Sequence, residues 1–160
     1  MTLVEHLPES AIQTRAHATD WREAIILAGE GLAAQGLTTK DYTREMIEAV
    51  EKLGPYIVIA PGFALAHSRP SPAVLGTGFS WVGLAAPVEF GSEMNDPVRL
   101  VVGLAAVDHD AHLAAMSSLA AVLADEDVLN ELISAASPTE VRATLSRVEN
   151  ADTDHQQTRE

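Results

Sequence analysis

The chain reads as an α/β (α+β) protein, a single domain in which helices flank a buried sheet, and three observations predict this. Residues 99–107 form a near-continuous apolar run, the pattern of a central strand buried on both faces. On either side of that run, apolar residues recur at three- and four-residue steps, which is the helical period. The length of 160 residues, 47% of them hydrophobic, suits one domain with a substantial core.

The elements follow in order. Residues 11–17 read as an edge strand. Asp20 and Glu23 have capping-box spacing, ahead of a helical face of Trp21, Ile25, Ala28 and Leu32, and Gly36 can end that helix. Thr39 starts a second helix with Tyr42, Met46, Val50 and Leu53 on one face, and Gly54-Pro55 stops it. Residues 56–60 and 63–66 read as two buried strands broken by Pro61-Gly62. A Pro/Gly/Ser loop over 71–76 leads to a strand over 77–84, and 87–90 reads as another. Residues 91–97 read as a mobile polar loop before the central strand. Helices are expected over 110–124 and 126–135, the first with Leu113, Met116, Leu119, Ala120 and Leu123 on its apolar face and Asp108 or Asp110 as its cap. Ser137-Pro138-Thr139-Glu140 is a strong helix start, and that helix should run to about Val148. The domain is thus placed at 1–148, with a disordered polar tail over 149–160. No repeat or interior linker is visible.

Composition bounds the function. The net charge is −13 with histidines neutral, which argues against nucleic-acid binding, since phosphate contacts need a basic face. An acidic surface gives solubility and suits encounter with a basic partner. No apolar run approaches a membrane span and no secretory signal opens the chain, so no membrane insertion and a cytoplasmic location are expected. There is no cysteine, so disulfides, thiolate metal sites and cysteine phosphorylation within this chain are all impossible. A phosphate loop with lysine and a Gly-x-Ser-x-Gly elbow are both missing, which leaves nucleotide-driven transfer and serine hydrolysis without support.

Two histidines carry the chemistry. His67 ends the buried run 63–66 and is followed by Ser68-Arg69-Pro70, so a rigid strand presents it at a surface. His112 falls in the first turn of the helix after the central strand, where free N–H groups and the positive dipole end favour an anion such as phosphate. Taken alone, each has a structural explanation: a histidine after an apolar strand is usually structural, and one in a first helical turn is more often a cap or solvated. Arg69 suits a phosphate or a partner carboxylate as well as it suits plain solvation. His109, His112, Asp108 and Asp110 have a spacing that permits a metal, but the aspartates are better explained as caps, so no metal or cofactor is assigned. His6, His17 and His155 lie in polar or terminal segments and are given no role.

The run GPYIVIAPGFALAHSRP, residues 54–70, closely resembles the phosphorylation-site segment of enzyme IIA of the bacterial phosphoenolpyruvate-dependent sugar phosphotransferase system (PTS). The resemblance is to the mannitol/fructose-type fold and, within it, to the ascorbate (L-ascorbate-specific) branch. Asn95-Asp96-Pro97-Val98, the strand after it, His112-Leu113 and Leu119-Ala120 also fit, so the likeness spans roughly residues 5–148. Three positions depart from the family pattern. Ala66 stands where a proline is common, Ser71 where an acidic residue often follows Arg-Pro, and Ala49 about where mannitol- and fructose-type members usually carry an arginine. The last departure argues against those two branches.

The resemblance implies a mixed β-sheet with helices packed on it and the two histidines meeting in a shallow depression. It implies that His67 is the phosphorylated nucleophile and His112 the companion that stabilises the phosphoryl group. Ser68, Arg69 and helix N–H groups are further candidates to hold phosphate or a partner. The implied activity is that of a phosphotransferase with a phosphohistidine intermediate. His67 takes the group from the histidine phosphocarrier protein HPr and passes it to a cysteine of a IIB component that works with a membrane IIC, for transport of ascorbate or a related sugar acid or pentitol. The alternative is a regulatory phosphohistidine module that feeds no transporter. The substrate, the reacting ring nitrogen and a homodimer are left open at this stage.

Overall fold

The computed structural model describes residues 2–158, with side chains as far as residue 151. Five strands, β1 (Ile12–Ala16), β2 (Val58–Ala60), β3 (Phe63–Ala66), β4 (Gly78–Val88) and β5 (Val98–Ala105), form one sheet in the order β1-β4-β5-β3-β2. The sheet is mixed. β1 runs parallel to β4 and β3 parallel to β5, whereas β4–β5 and β2–β3 are antiparallel.

Helices cover both faces. Along β3, Phe63 and Leu65 join one core cluster while Ala64 and Ala66 join the other, and β5 divides Leu100, Val102 and Leu104 from Val101 and Ala105 in the same way. This period of two explains why both strands read as unbroken apolar runs: each face needs its own apolar set. The first face packs on α3 (His109–Leu123), α4 (Glu126–Ser134) and α5 (Pro138–Thr158) through Ala115, Leu119, Leu129, Leu132, Val141 and Leu145. The second packs on α1 (Trp21–Ala34) and α2 (Asp41–Leu53) through Ile25, Ala28, Leu32, Tyr42, Met46 and Val50. Small residues let α1 lie close to the sheet. Ser80 Oγ donates to the Ala28 carbonyl at 2.7 Å, and a Cβ on Gly103 would sit 3.2 Å from that same oxygen.

The caps read from sequence hold. Glu23 N–H donates to Asp20 at 2.9 Å at the start of α1, and Ala111 N–H donates to Asp108 at 2.8 Å at the start of α3. At α5, Glu140 N–H donates to Ser137 Oγ while the Glu140 carboxylate accepts from Ala136 N–H, a capping box reaching one residue further back.

Several expectations need correction. The strands expected over 77–84 and 87–90 are one eleven-residue strand, β4, whose register with β5 shifts between Gly83 and Val88. Pro87 is tolerated there because an irregular stretch needs no donor from it. The loop over 91–97 is tied down: the Asp96 carboxylate accepts from the N–H groups of Phe90, Gly91 and Ser92. β2 is three residues long, and as an edge strand it leaves Ile59 exposed. The second helix begins at Asp41, two residues after Thr39. α5 continues to Thr158, ten residues past its expected end at Val148 and into the segment read as a tail. Leu53 and Leu113, placed on buried helix faces, are 66% and 53% exposed, which matters below because both flank the histidines in sequence or space.

Candidate functional site

β3 and β5 are adjacent and parallel, with Ala66 paired to Gly103, so they end at the same edge of the sheet. His67 is the first residue beyond β3. Beyond β5, residues 106–108 turn the chain into α3, and His112 lies one turn into that helix. The topology alone therefore brings together two residues 45 positions apart, in the region beyond carboxyl ends of parallel strands where α/β proteins bind ligands. The ring centroids are 5.7 Å apart.

Both histidines line an open depression of about 760 Å³, together with Ser68, Arg69, Tyr56 and His109, and with Glu45, Glu48, Ala49, Lys52 and Leu53 of α2. All four residues singled out from the sequence meet there. Ala49, aligned by resemblance with an arginine in other branches, also faces this space.

The imidazole of His67 is fixed. Its Nδ1 lies 2.7 Å from the carbonyl oxygen of Leu65. A carbonyl only accepts, so Nδ1 carries the hydrogen and Nε2 is left with its lone pair. The Tyr56 ring packs against it in a T-shaped arrangement, with centroids 5.5 Å apart. Burial pushes the His67 pKa below its ordinary value of 6.5, and nearby His112 pushes the same way, against the stabilising Leu65 carbonyl. At neutral pH the ring is an uncharged base with one nitrogen available.

The loop after His67 is fixed by two tyrosines. Tyr42 is buried in α2, and its hydroxyl donates to the Leu104 carbonyl at 2.8 Å and accepts from Ser68 N–H at 3.0 Å. Burial pushes the Tyr42 pKa up to about 12, so the hydroxyl stays protonated. Tyr56, on the rim, donates to the His67 carbonyl at 3.1 Å. Burial raises its pKa too, opposed by the Arg69 guanidinium. Sequence reading placed Tyr42 on a core face and Tyr56 in a strand, and periodicity carries no signal for the hydroxyl contacts.

Possible anion donors are narrower than the sequence suggested. Ser68 N–H is taken by Tyr42, which leaves the Ser68 hydroxyl. At the start of α3, Ala111 N–H is taken by the Asp108 side chain and His112 N–H by the Asp108 carbonyl. Among the described residues, no group of three or more histidines and carboxylates is arranged to hold a metal ion, and no helix is long and apolar enough to cross a membrane.

Comparison with known proteins identifies the relatives of this chain. Residues 5–148 match the model of the family described as phosphoenolpyruvate-dependent sugar phosphotransferase system, EIIA 2. The chain is 35% identical over 153 residues to the ascorbate-specific PTS system EIIA component of Escherichia coli K12, covering 94% of this chain and 99% of the relative. The solution structure of the mannitol-specific cryptic phosphotransferase enzyme IIA of Escherichia coli superposes with a TM-score of 0.84 at 33% identity, over 92% of this chain and 99% of that one. The IIA chain in the Escherichia coli complex of mannitol enzyme IIA with phosphorylated enzyme IIB gives 0.74 at 31% identity, over 89% and 94%. A five-stranded mixed sheet with two histidines at one edge, carried by a sequence that matches this family over most of its length, makes the chain a phosphotransferase enzyme of the EIIA 2 family, a IIA component of the sugar phosphotransferase system.

Proposed function

We propose that this IIA component carries its phosphoryl group on Nε2 of His67, receives it from HPr, and passes it to a cysteine of a IIB partner. The observation that supports this most is the Nδ1–Leu65 hydrogen bond, which leaves Nε2 as the ring's only base. In loading, the Nε2 lone pair attacks phosphorus and a new N–P bond forms as the N–P bond to the HPr histidine breaks. Positive charge then develops on the His67 ring. The Leu65 carbonyl stabilises it, since a hydrogen bond to an ionised donor is about twice as strong as a neutral one. In unloading, a cysteine thiolate of IIB attacks phosphorus, an S–P bond forms, and the electron pair returns to Nε2. Transfer of this kind depends on in-line positioning and on donors for the equatorial oxygens. His112 fits that role, with the Ser68 hydroxyl and Arg69 beside it, and all three line the same depression.

The partner surface follows from the same site. Leu53 and Tyr56 line the depression and are exposed, and exposed Leu113 follows His112. Glu45 and Glu48 supply acidic groups at the rim. This suits a transient contact with an apolar centre and a charged edge. We further propose ascorbate, or a related sugar acid or pentitol, as the transported substrate. The ascorbate-specific relative and Ala49 in the depression support this.

Onward transfer tests the reading. Loaded protein is mixed with an ascorbate-type IIB and with its Cys→Ser variant, and acceptor phosphorylation is followed by mass spectrometry. Transfer to the wild-type acceptor alone is expected. A loaded protein that delivers to no IIB would point to a regulatory module.

A further inference from the structure

The His67 carbonyl and the Ser68 N–H belong to one peptide group. Tyr56 donates to that carbonyl at 3.1 Å, and Tyr42 accepts from that N–H at 3.0 Å. The two hydroxyls approach from different elements. Tyr42 comes from α2 and is anchored in turn to Leu104 at the end of β5, whereas Tyr56 comes from the segment between α2 and β2. β3 fixes the backbone before the His67 Cα and the peptide held at both poles fixes it after, and the two together set the direction of the His67 Cα–Cβ bond. The imidazole reaches the Leu65 carbonyl from that vector, so the aim of Nε2 depends on the peptide.

We propose that Tyr42 and Tyr56 are positioning residues that clamp the peptide between His67 and Ser68 and so keep the imidazole on Leu65, with Nε2 aimed into the depression. The inference rests on His67 as the phosphoryl carrier. Neither hydroxyl needs to touch the phosphoryl group. The clamp also reserves Ser68 N–H, which is therefore no phosphate donor. Tyr42 supplies the rigid half, because it is buried and doubly bonded. Tyr56 supplies the exposed half, and its ring, packed at 5.5 Å against the imidazole, limits the space for His67 to turn.

The test uses the full chain as wild type, Tyr56→Phe and Tyr42→Phe. Nitrogen-15 NMR of the unphosphorylated protein reads the His67 tautomer, and rapid quench reads loading from phosphorylated HPr. Wild type should show the Nδ1–H tautomer alone. Each variant should show the Nε2–H form as well and load about three- to tenfold more slowly, the range expected for one lost hydrogen bond. The KM for phosphorylated HPr should stay the same in Tyr42→Phe, since Tyr42 is buried and does not line the depression. A folded Tyr56→Phe protein with wild-type tautomer and loading rate would overturn the proposal, even if Tyr42→Phe failed to fold. Wild-type protein that takes no phosphoryl group would refute the carrier reading instead, and the tautomer comparison would still decide the clamp.

Discussion

His67 is hydrogen-bonded through Nδ1 to the carbonyl of Leu65, two residues earlier in the strand that it follows, at 2.7 Å. The bond is local, but what it fixes is chemical: one ring nitrogen is spent on the backbone and the other is free. The phosphorylated protein is therefore expected to carry the group on Nε2. Phosphorus-coupled nitrogen-15 NMR of the loaded protein checks this. Coupling at Nδ1 would mean that the ring turns over before it reacts.

The lowered pKa of His67 gives a pH dependence of definite sign. Only the neutral ring is nucleophilic, so the loading rate should be flat at neutral pH and above. It should fall with acid only below about 6.5, the ordinary imidazole value. Folding follows the same sign. Protonation favours the unfolded chain, so this contribution to stability is complete above the unfolded pKa and is lost as pH falls through the lower folded one. Quench measurements of loading between about pH 5 and pH 8 locate the midpoint. A midpoint above the ordinary value would contradict burial as the dominant influence.

His112→Ala should keep the fold and slow transfer to IIB more than it slows loading. The side chain is partly exposed at the start of α3, so its removal leaves no core cavity. Losing one preorganised donor to a developing anion costs about 3 kcal/mol in enclosed sites, and an open depression should lose less. Mixing preloaded protein with IIB in a quench instrument measures the release step. Unchanged release would make His112 a structural residue.

HPr and IIB should compete, because both must reach one nitrogen atom. Chemical-shift maps taken with each partner should overlap on His67, His112, Leu53 and Leu113. Association should also slow as salt screens the net negative charge of the chain over a Debye length of about 8–10 Å. Simultaneous binding of both partners would require a separate surface.

The sequence showed the parts of this site that local pattern can encode. The apolar run into His67 and the Asp108 cap ahead of His112 were both legible, because a strand end and a helix start are written within a few residues. The meeting of the two histidines was not, since it depends on β3 pairing with β5 in parallel. Family likeness, not periodicity, implied that the two histidines meet, and the structure supplies the pairing that brings them together. The hydroxyl of Tyr42 was invisible for a similar reason: its partners are 26 and 62 residues away. Pro87 misled in the opposite direction, since a residue that normally breaks a strand sits in an irregular part of β4. Asp96 looked like a loop residue, yet its carboxylate organises the loop.

The central claim is that His67 carries the phosphoryl group, and intact-mass analysis after a complete relay tests it most directly. The protein is incubated with enzyme I, HPr and phosphoenolpyruvate, then weighed before and after mild acid. Wild type should gain a single phosphoryl group that acid removes, and His67→Ala should gain none. An acid-labile phosphoryl group that persists on His67→Ala would contradict the assignment.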